Sequence, residues 1–355
     1  MTGPREVLMG GKSPSGVLVL LACFPCWAAT APPAAAGDSV QEFYAGRQMT
    51  IIVGSAAGGG YDLQARLMAS HIGKHIPGNP TFIVQNMPGA GSLAAANHIY
   101  NTAPADGSTI ALLQRGMLLV RLVNPTSVRF EIEKLNWIGS LNSEVGVVLS
   151  WHDTGVKTTK DLFEKELIVG AIVGVDPETT PKLLNAAIGT KFKIVGGYNN
   201  TAQIALAIER GEVQGIGDWS WSSVKAVRPD WLRDKKVNVL MQVGLQKEPE
   251  LPDVPFALDF VKNAADRKML ELNFTQKTAA RPVVAPPGVP ADRVAALRSA
   301  FAALATDREF LADGERSKLE IAPAPAEALD KVIALIAGTP PDIAEHYAKV
   351  LGRGK

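Results

Sequence analysis

Apolar, β-branched side chains fill Met49–Val53, the pattern of a short buried strand. Regular structure then breaks, because glycines at 54, 58, 59 and 60 stand among small residues. Leu63, Leu67, Ile72 and Ile76 come next on one helical face, with Asp62 at the start and four residues before Arg66. Pro77-Gly78-Asn79-Pro80 ends that helix. The predicted unit is strand, glycine loop, helix.

The same alternation continues. Residues 38–48 form a lead-in, with Phe43 and Tyr44 able to pack against the first lobe of the fold. Thr81–Val84 reads as a second strand, Leu93–Asn101 as a helix and Thr109–Leu113 as a third strand. Val145–Trp151 and Leu167–Val173 read as strands, and Pro181–Ile188 as a helix. Lys191–Val195 is a further strand, and Thr201–Arg210 an amphipathic helix. Val237–Val243 is a strand before a proline-rich loop, and Arg281–Ala285 is extended. Alanine-rich helices run from Asp292 to Thr306 and from Ala326 to Ile336, where the chain is expected to return to its first part. Strands alternating with helices predict an α/β protein with mostly parallel sheets.

The N-terminus stands apart. Arg5 and Lys12 precede an apolar run that begins at Val17 and continues through Trp27, and Ala34-Ala35-Ala36 offers a small-residue cleavage site. This is the anatomy of a secretory signal, and no stretch reaches the ~18 apolar residues of a membrane span. Leu20-Leu21-Ala22-Cys23 gives a second reading, a lipobox that would leave a lipid on Cys23. Cleavage after Ala36 removes two of 36 basic and one of 35 acidic residues, leaving 34 of each. Such a chain has no basic excess for nucleic acid. Both cysteines, Cys23 and Cys26, leave with the signal, so neither a disulfide nor a cysteine metal site is expected.

The glycine loop presents backbone N–H groups at a helix N-terminus, a place for an anion. A P-loop would continue Gly-Lys-Ser/Thr, and here Tyr61-Asp62 follows. A small carboxylate suits the loop better than a phosphate, with Asp62 turned aside as a cap; a tight turn without ligand is the alternative. Gly89-Ala90-Gly91-Ser92-Leu93-Ala94 matches a dinucleotide fingerprint, but Gln85–Pro88 separates it from its strand and no acidic residue follows the next one. His71 and His75 lie four apart on the first helix, but Ile72 stands where a metalloprotease motif needs Glu. No G-x-S-x-G elbow occurs either, so no catalytic centre, metal or cofactor is expected.

These residues together resemble a known family, the extracytoplasmic solute-binding proteins of tripartite tricarboxylate transporters, or Bug proteins. The resemblance is carried by Gly54–Arg66, Gln85–Ala94, Ala103–Thr109, Gly196–Gly215, Leu251–Pro255 and Pro286–Val294, in family order over nearly the whole mature chain. It implies a two-lobed periplasmic-binding-protein (Venus flytrap) fold, two α/β lobes joined by two extended crossovers. The implied division is a signal peptide at 1–36, one lobe of 37–146 plus 282–355, and a second of 147–281. The crossovers are expected near Val145–Trp151 and Arg281–Pro286. It further implies a monomeric periplasmic protein, not an enzyme, that hands a small carboxylate to a membrane permease. A sensing accessory of a membrane kinase, or an enzyme for a phosphorylated substrate, are the alternatives.

Carried over by position, the ligand loops are Ser55–Asp62, Gln114–Gly116, Gly174–Thr179, Gly197–Asn199 and Gly217–Ser220. The candidate binding residues within them are Ser55, Gly58, Gly59, Gly60, Tyr61, Asp62, Gln114, Arg115, Asp176, Tyr198, Asp218 and Trp219. Arg115 offers a fork for a carboxylate, or a surface ion pair. Trp219 offers a pocket wall, or core. Asp218 offers a ligand contact, or a turn cap. The acids Asp176 and Glu178 read more readily as solvated loop residues. The family's frequent small turn is replaced here by Asp176-Pro177-Glu178, and the last loop is acidic and aromatic. Two extra acids argue against a tricarboxylate ligand.

Overall fold

The computed structural model describes residues 39–352. The expected signal, its cleavage site and Cys23 lie outside them. Eleven strands are present among the described residues. They are β1 (Gln48–Val53), β2 (Thr81–Asn86), β3 (Thr109–Leu112), β4 (Asn136–Ser140), β5 (Gly146–Trp151) and β6 (Leu167–Gly170). β7 (Phe192–Val195), β8 (Gly215–Ser220), β9 (Val237–Val243), β10 (Pro282–Ala285) and β11 (Ala324–Pro325) complete the set.

The strands form two sheets, in the orders β11-β4-β10-β3-β1-β2 and β7-β6-β8-β5-β9. β1 runs parallel to β2 and β3, and β6 parallel to β7 and β8. β10 is antiparallel to β3 and β4, and β5 antiparallel to β8 and β9. The sheets are therefore mixed rather than mostly parallel. β5 and β10 arrive from the other sheet, so no same-sheet crossover helix imposes a parallel direction on them.

Period-two alternation explains the layers. Ile51 and Val53 face one apolar cluster with Ala65 and Met68, whereas Ile52 faces another with Ala95 and Ile99. Each strand of this kind is covered on both faces by helices, which is why it reads as continuously apolar.

Two connections join the sheets, at 141–145 and 276–281. They run side by side: Leu141 N–H donates to Arg281 O, Ala280 N–H to Asn142 O and Glu144 N–H to Lys277 O, at 2.9–3.2 Å. The expected crossover positions fall instead within β5 and β10, and the second connection contains a short 3-10 turn, Gln276–Ala279. Helices Ala291–Ala303 and Ala326–Ala337 return to pack on β4, as expected. The last helix, Pro341–Val350, does not pack on β4; it lies against Val120–Val123 as well as Ala264–Thr275 and Asp176–Ile188, with Tyr347 Oη 2.9 Å from Asn273 Oδ1.

Candidate functional site

β1 ends at Val53, and the chain turns through Gly54 beneath the Ser92 hydroxyl, which donates to Gly54 O at 2.7 Å. A Cβ at Gly54 would lie 1.8 Å from Ser92 Oγ, so this residue must be glycine. The helix then spans Gly60–His71, and its first internal bond is Leu63 N–H to Gly59 O at 3.0 Å. The N–H groups of Gly60, Tyr61 and Asp62 precede that bond and carry the positive end of the helix dipole.

Asp62 is fully committed. Its carboxylate accepts from Gly58 N–H at 2.9 Å, Asn86 Nδ2 at 2.9 Å and Arg66 Nε at 3.0 Å. Burial opposes its ionisation, but the bonds from Arg66, Gly58 and Asn86 outweigh that and hold its pKa below the usual carboxylate range. The expected ion pair with Arg66 is present, but the N-cap is Gly59, without a side-chain cap bond; Asp62 sits in the first turn and reaches back to the loop at Gly58. Gly58 N–H is spent on this bond, and Gly58 does not line the cavity described below. Asp62→Ala should cost about 1–3 kcal/mol, the range for losing hydrogen bonds to a charged group. A depressed pKa places this contribution at neutral pH and removes it as pH falls through the carboxylate's titration. Urea melts at pH 7 and pH 3 check both; an equal loss at the two values would contradict the assignment.

Ser55, Gly59, Gly60, Tyr61, Gln114, Arg115, Asp176, Asp218 and Trp219 come together around one cavity of about 50 Å³ between the two sheets. That volume holds a few waters at most, so a larger molecule requires the sheets to part. Tyr61 Oη donates to Ala280 O at 3.0 Å and accepts from Arg115 N–H at 3.1 Å, so its hydroxyl ties the first loop to the third strand's loop. Gln114 Nε2 reaches Gly54 O at 3.3 Å. Tyr198 is not part of this group; it borders a neighbouring cavity with Gly89, Ala90 and Gly91. Asp62 lies behind the loop rather than in the wall.

Charged side chains in and behind the wall are paired with one another. Arg115 forks onto Asp176 and donates to Ser220 Oγ at 3.1 Å. Gln276 Nε2 donates to the other Asp176 oxygen at 2.9 Å. Burial alone would push the Asp176 carboxyl up; Arg115 and then Lys277 outweigh it and hold it low. Lys277 Nζ lies 2.9 and 2.8 Å from the two Asp218 oxygens, and Thr180 donates to Asp218 at 2.6 Å. Burial pushes the Asp218 carboxyl above its usual range despite Lys277, and the charge of Asp176 adds to the rise. Arg281 Nη2 meets Glu144 at 3.1 Å and Ser223 Oγ at 3.0 Å, and its guanidinium lies 4.2 Å from the Tyr61 ring centre.

Asp176 and Glu178 are thus not solvated loop acids. The helix begins at Asp176, five residues before its expected start, so both acids fall in its first turn. Asp176 is buried against Arg115, and Glu178 accepts from Gly174 N–H and pairs with Lys182 at 2.7 Å. Asp218 caps no turn; it is an ion-pair partner. Trp219 is both wall and core, stacking edge-on to Trp231 at 6.0 Å, and its Nε1 finds no acceptor among the described residues.

Several participants escape sequence reasoning. Arg281, Lys277 and Ser223 lie outside the loops that follow strands, Glu144 follows a strand that the pattern does not show, and nothing in their spacing marks them. Asn200 had a signal, its place before an amphipathic helix. It caps that helix, accepting from Gln203 N–H at 2.8 Å, and donates across the cleft to Ala57 O at 2.7 Å. The two helix histidines serve structure: His71 and His75 lie 2.8 Å from Asp313 and Asp307. His71, Asp307 and Glu309 could converge on a cation, but Lys74 Nζ already sits 2.9 and 2.7 Å from the two acids.

A glycine loop, a cleft between two sheets and paired connections behind it make up the site. Solved structures of the same shape decide its kind. A structure described as "periplasmic binding protein BugD" matches with TM-score 0.67 and 22% identity, over 87% of this chain and 99% of that one. This is the fold of a periplasmic binding protein. A Rhodopseudomonas palustris binding-fold structure solved with adipate matches with TM-score 0.68 and 20% identity, over 87% of this chain and 98% of the other. The protein MatC of Rhodopseudomonas palustris, solved with bound malate, gives TM-score 0.64 and 19% identity over 86% and 99%. No family model matches the chain. Among curated proteins, the "UPF0065 protein in gbd 5'region" of Cupriavidus necator is 27% identical over 219 residues, 59% of this chain and 63% of that protein. A second UPF0065 protein, from Agrobacterium vitis, is 26% identical over 223 residues, 61% of this chain and 62% of that one. The chain thus spans about three fifths of the length of the curated relatives it matches. In shape and in sequence it is similar to the Bug and TctC type of binding protein.

Proposed function

We propose that this protein binds a small carboxylate between its two sheets and delivers it to a membrane permease, as an exported, monomeric, non-enzymatic receptor. One observation carries the reading. The first N–H groups of the helix Gly60–His71 open on a buried cleft that also holds Arg115 and Arg281. An anion there meets a helix dipole and backbone donors with no Cβ in the way. Two or three hydrogen bonds to a charged group, about 1.5–3 kcal/mol each, supply much of the ~8 kcal/mol of a micromolar affinity. The residues lining the cleft include no histidine and no cysteine, which favours binding over acid–base or covalent chemistry. Malate and adipate in proteins of similar shape favour a carboxylate further.

A thermal-shift screen of carboxylates tests the reading. A ligand at about 100 times its dissociation constant adds ~2.7 kcal/mol to the folded state. A screen in which no carboxylate raises the melting temperature would remove the reading.

The reading carries a motion. We propose lobes of 37–146 plus 282–340 and of 147–281, hinging about the paired connections, with the last helix Pro341–Val350 lying across both. Small-angle scattering should show a smaller radius of gyration with saturating ligand than without. An unchanged radius would argue for a rigid body.

A further inference from the structure

Every cation near the cleft already has a carboxylate partner within the chain. Arg115 has Asp176, Lys277 has Asp218, and Arg281 has Glu144. The two acids nearest the cavity, Asp176 and Asp218, belong to its wall. Asp176 is also held in place. Gln276 takes its second oxygen at 2.9 Å, Lys277 stands 3.6 Å away, and the residue opens the helix Asp176–Ile188. Beside the two acids, Ile172, Val175, Pro177 and Trp219 give that side an apolar stretch, flanked by uncharged polar residues such as Asn200 and Ser220.

We propose that Asp176 is the specificity-determining residue of the cleft: it occupies the Arg115 guanidinium as an internal carboxylate and restricts the ligand to monocarboxylates with an uncharged remainder. The proposal rests on the carboxylate reading above. A first ligand carboxylate takes the helix N-terminus at Gly60. A second one would enter a wall where Arg115 and Lys277 are already paired and where the carboxylates that pair them, Asp176 and Asp218, stand in its way. Leaving water for such surroundings is costly for a second carboxylate, because the Arg115 guanidinium that would replace its hydration is already taken by Asp176. An apolar remainder loses nothing there and covers the side chains of Ile172, Val175 and Pro177.

The test uses matched acids that differ in one carboxylate: hexanoate against adipate, and butyrate against succinate. Calorimetry on the wild-type protein should give at least about tenfold tighter binding of the monocarboxylate in each pair. Asp176→Asn keeps the shape, frees Arg115, and should invert the preference by raising dicarboxylate affinity at least about tenfold. Thermal melts establish that the variant folds; the wild-type ratio needs no variant at all. Dicarboxylates binding the wild type as tightly as monocarboxylates would overturn the proposal while leaving a carboxylate receptor. An unchanged ratio in a folded Asp176→Asn would do the same. Failure of every acid to bind the wild type would remove the receptor reading itself.

Discussion

Lys277→Met should destabilise the protein by about 3–5 kcal/mol, the usual cost of stripping one partner from a buried ion pair. The two side chains of the Lys277–Asp218 pair are 1% and 0% exposed. Methionine fills most of the same volume, so packing loss is small beside the electrostatic one. Asp218 would keep only the Thr180 hydroxyl at 2.6 Å and would face Asp176 without the intervening ammonium. The pH dependence has a definite sign. Burial already raises the Asp218 pKa, and loss of Lys277 raises it further. A carboxyl with a folded pKa above its unfolded value of ~3.9 favours the folded state at low pH and loses that advantage as pH rises through the folded value. The deficit should therefore be larger at pH 8 than at pH 5. Adding Asp218→Asn to the variant should recover most of it. Urea melts of wild type and the two variants at both pH values measure this; a Lys277→Met variant within about 1 kcal/mol of wild type would mean that the pair contributes little.

Gly59→Val should weaken ligand binding by about tenfold or more while lowering the melting temperature only slightly. The backbone at Gly59 has φ −91° and ψ 171°, which any residue adopts, so the substitution is not strained locally. The conflict is across the cleft. A Cβ at Gly59 would lie 3.3 Å from Asn200 Cβ and 3.8 Å from Thr201 Oγ1. The valine methyls extend beyond that point and hold apart the two loops that Asn200 Nδ2 now joins through Ala57 O at 2.7 Å. Calorimetry with a ligand from the screen, together with thermal melts, decides the matter. A variant that folds and binds like wild type would move the site away from the glycine loop.

Where elements have polar or glycine boundaries, the sequence shows them plainly. The helix Leu93–Asn101 and the strand Val237–Val243 occur at the residues that the pattern predicts. β4 stays hidden because Asn136-Trp137-Ile138-Gly139-Ser140 lacks alternation, although it is almost wholly buried. The helix Asp176–Ile188 starts before its predicted point because Pro181 reads as a start signal; Pro177 in the first turn is the true one, and Pro181 lies inside. The glycine loop and the Asp62–Arg66 pair are local, four-residue facts and are legible. The ion pairs are not. Arg115 and Asp176 are 61 residues apart, Lys277 and Asp218 59 apart, and Arg281 and Glu144 137 apart. Two surface acids and two buried counterions have the same sequence signature until the fold brings their partners up. That is why Asp176 reads as a solvated residue and Lys277 attracts no notice.

The paired connections at 141–145 and 276–281 have a mechanical consequence. Two independent tethers would let one half slide, twist and bend relative to the other. Here three backbone hydrogen bonds lace the tethers into a ribbon. A ribbon resists shear within its own plane and yields most readily across it. For the lobe motion proposed above, the soft direction would then be a single angle, and the size of whatever fills the cleft would be written into one coordinate rather than scattered over several. A spectroscopic ruler placed across the mouth would then report ligand bulk as a graded series of distances along one line.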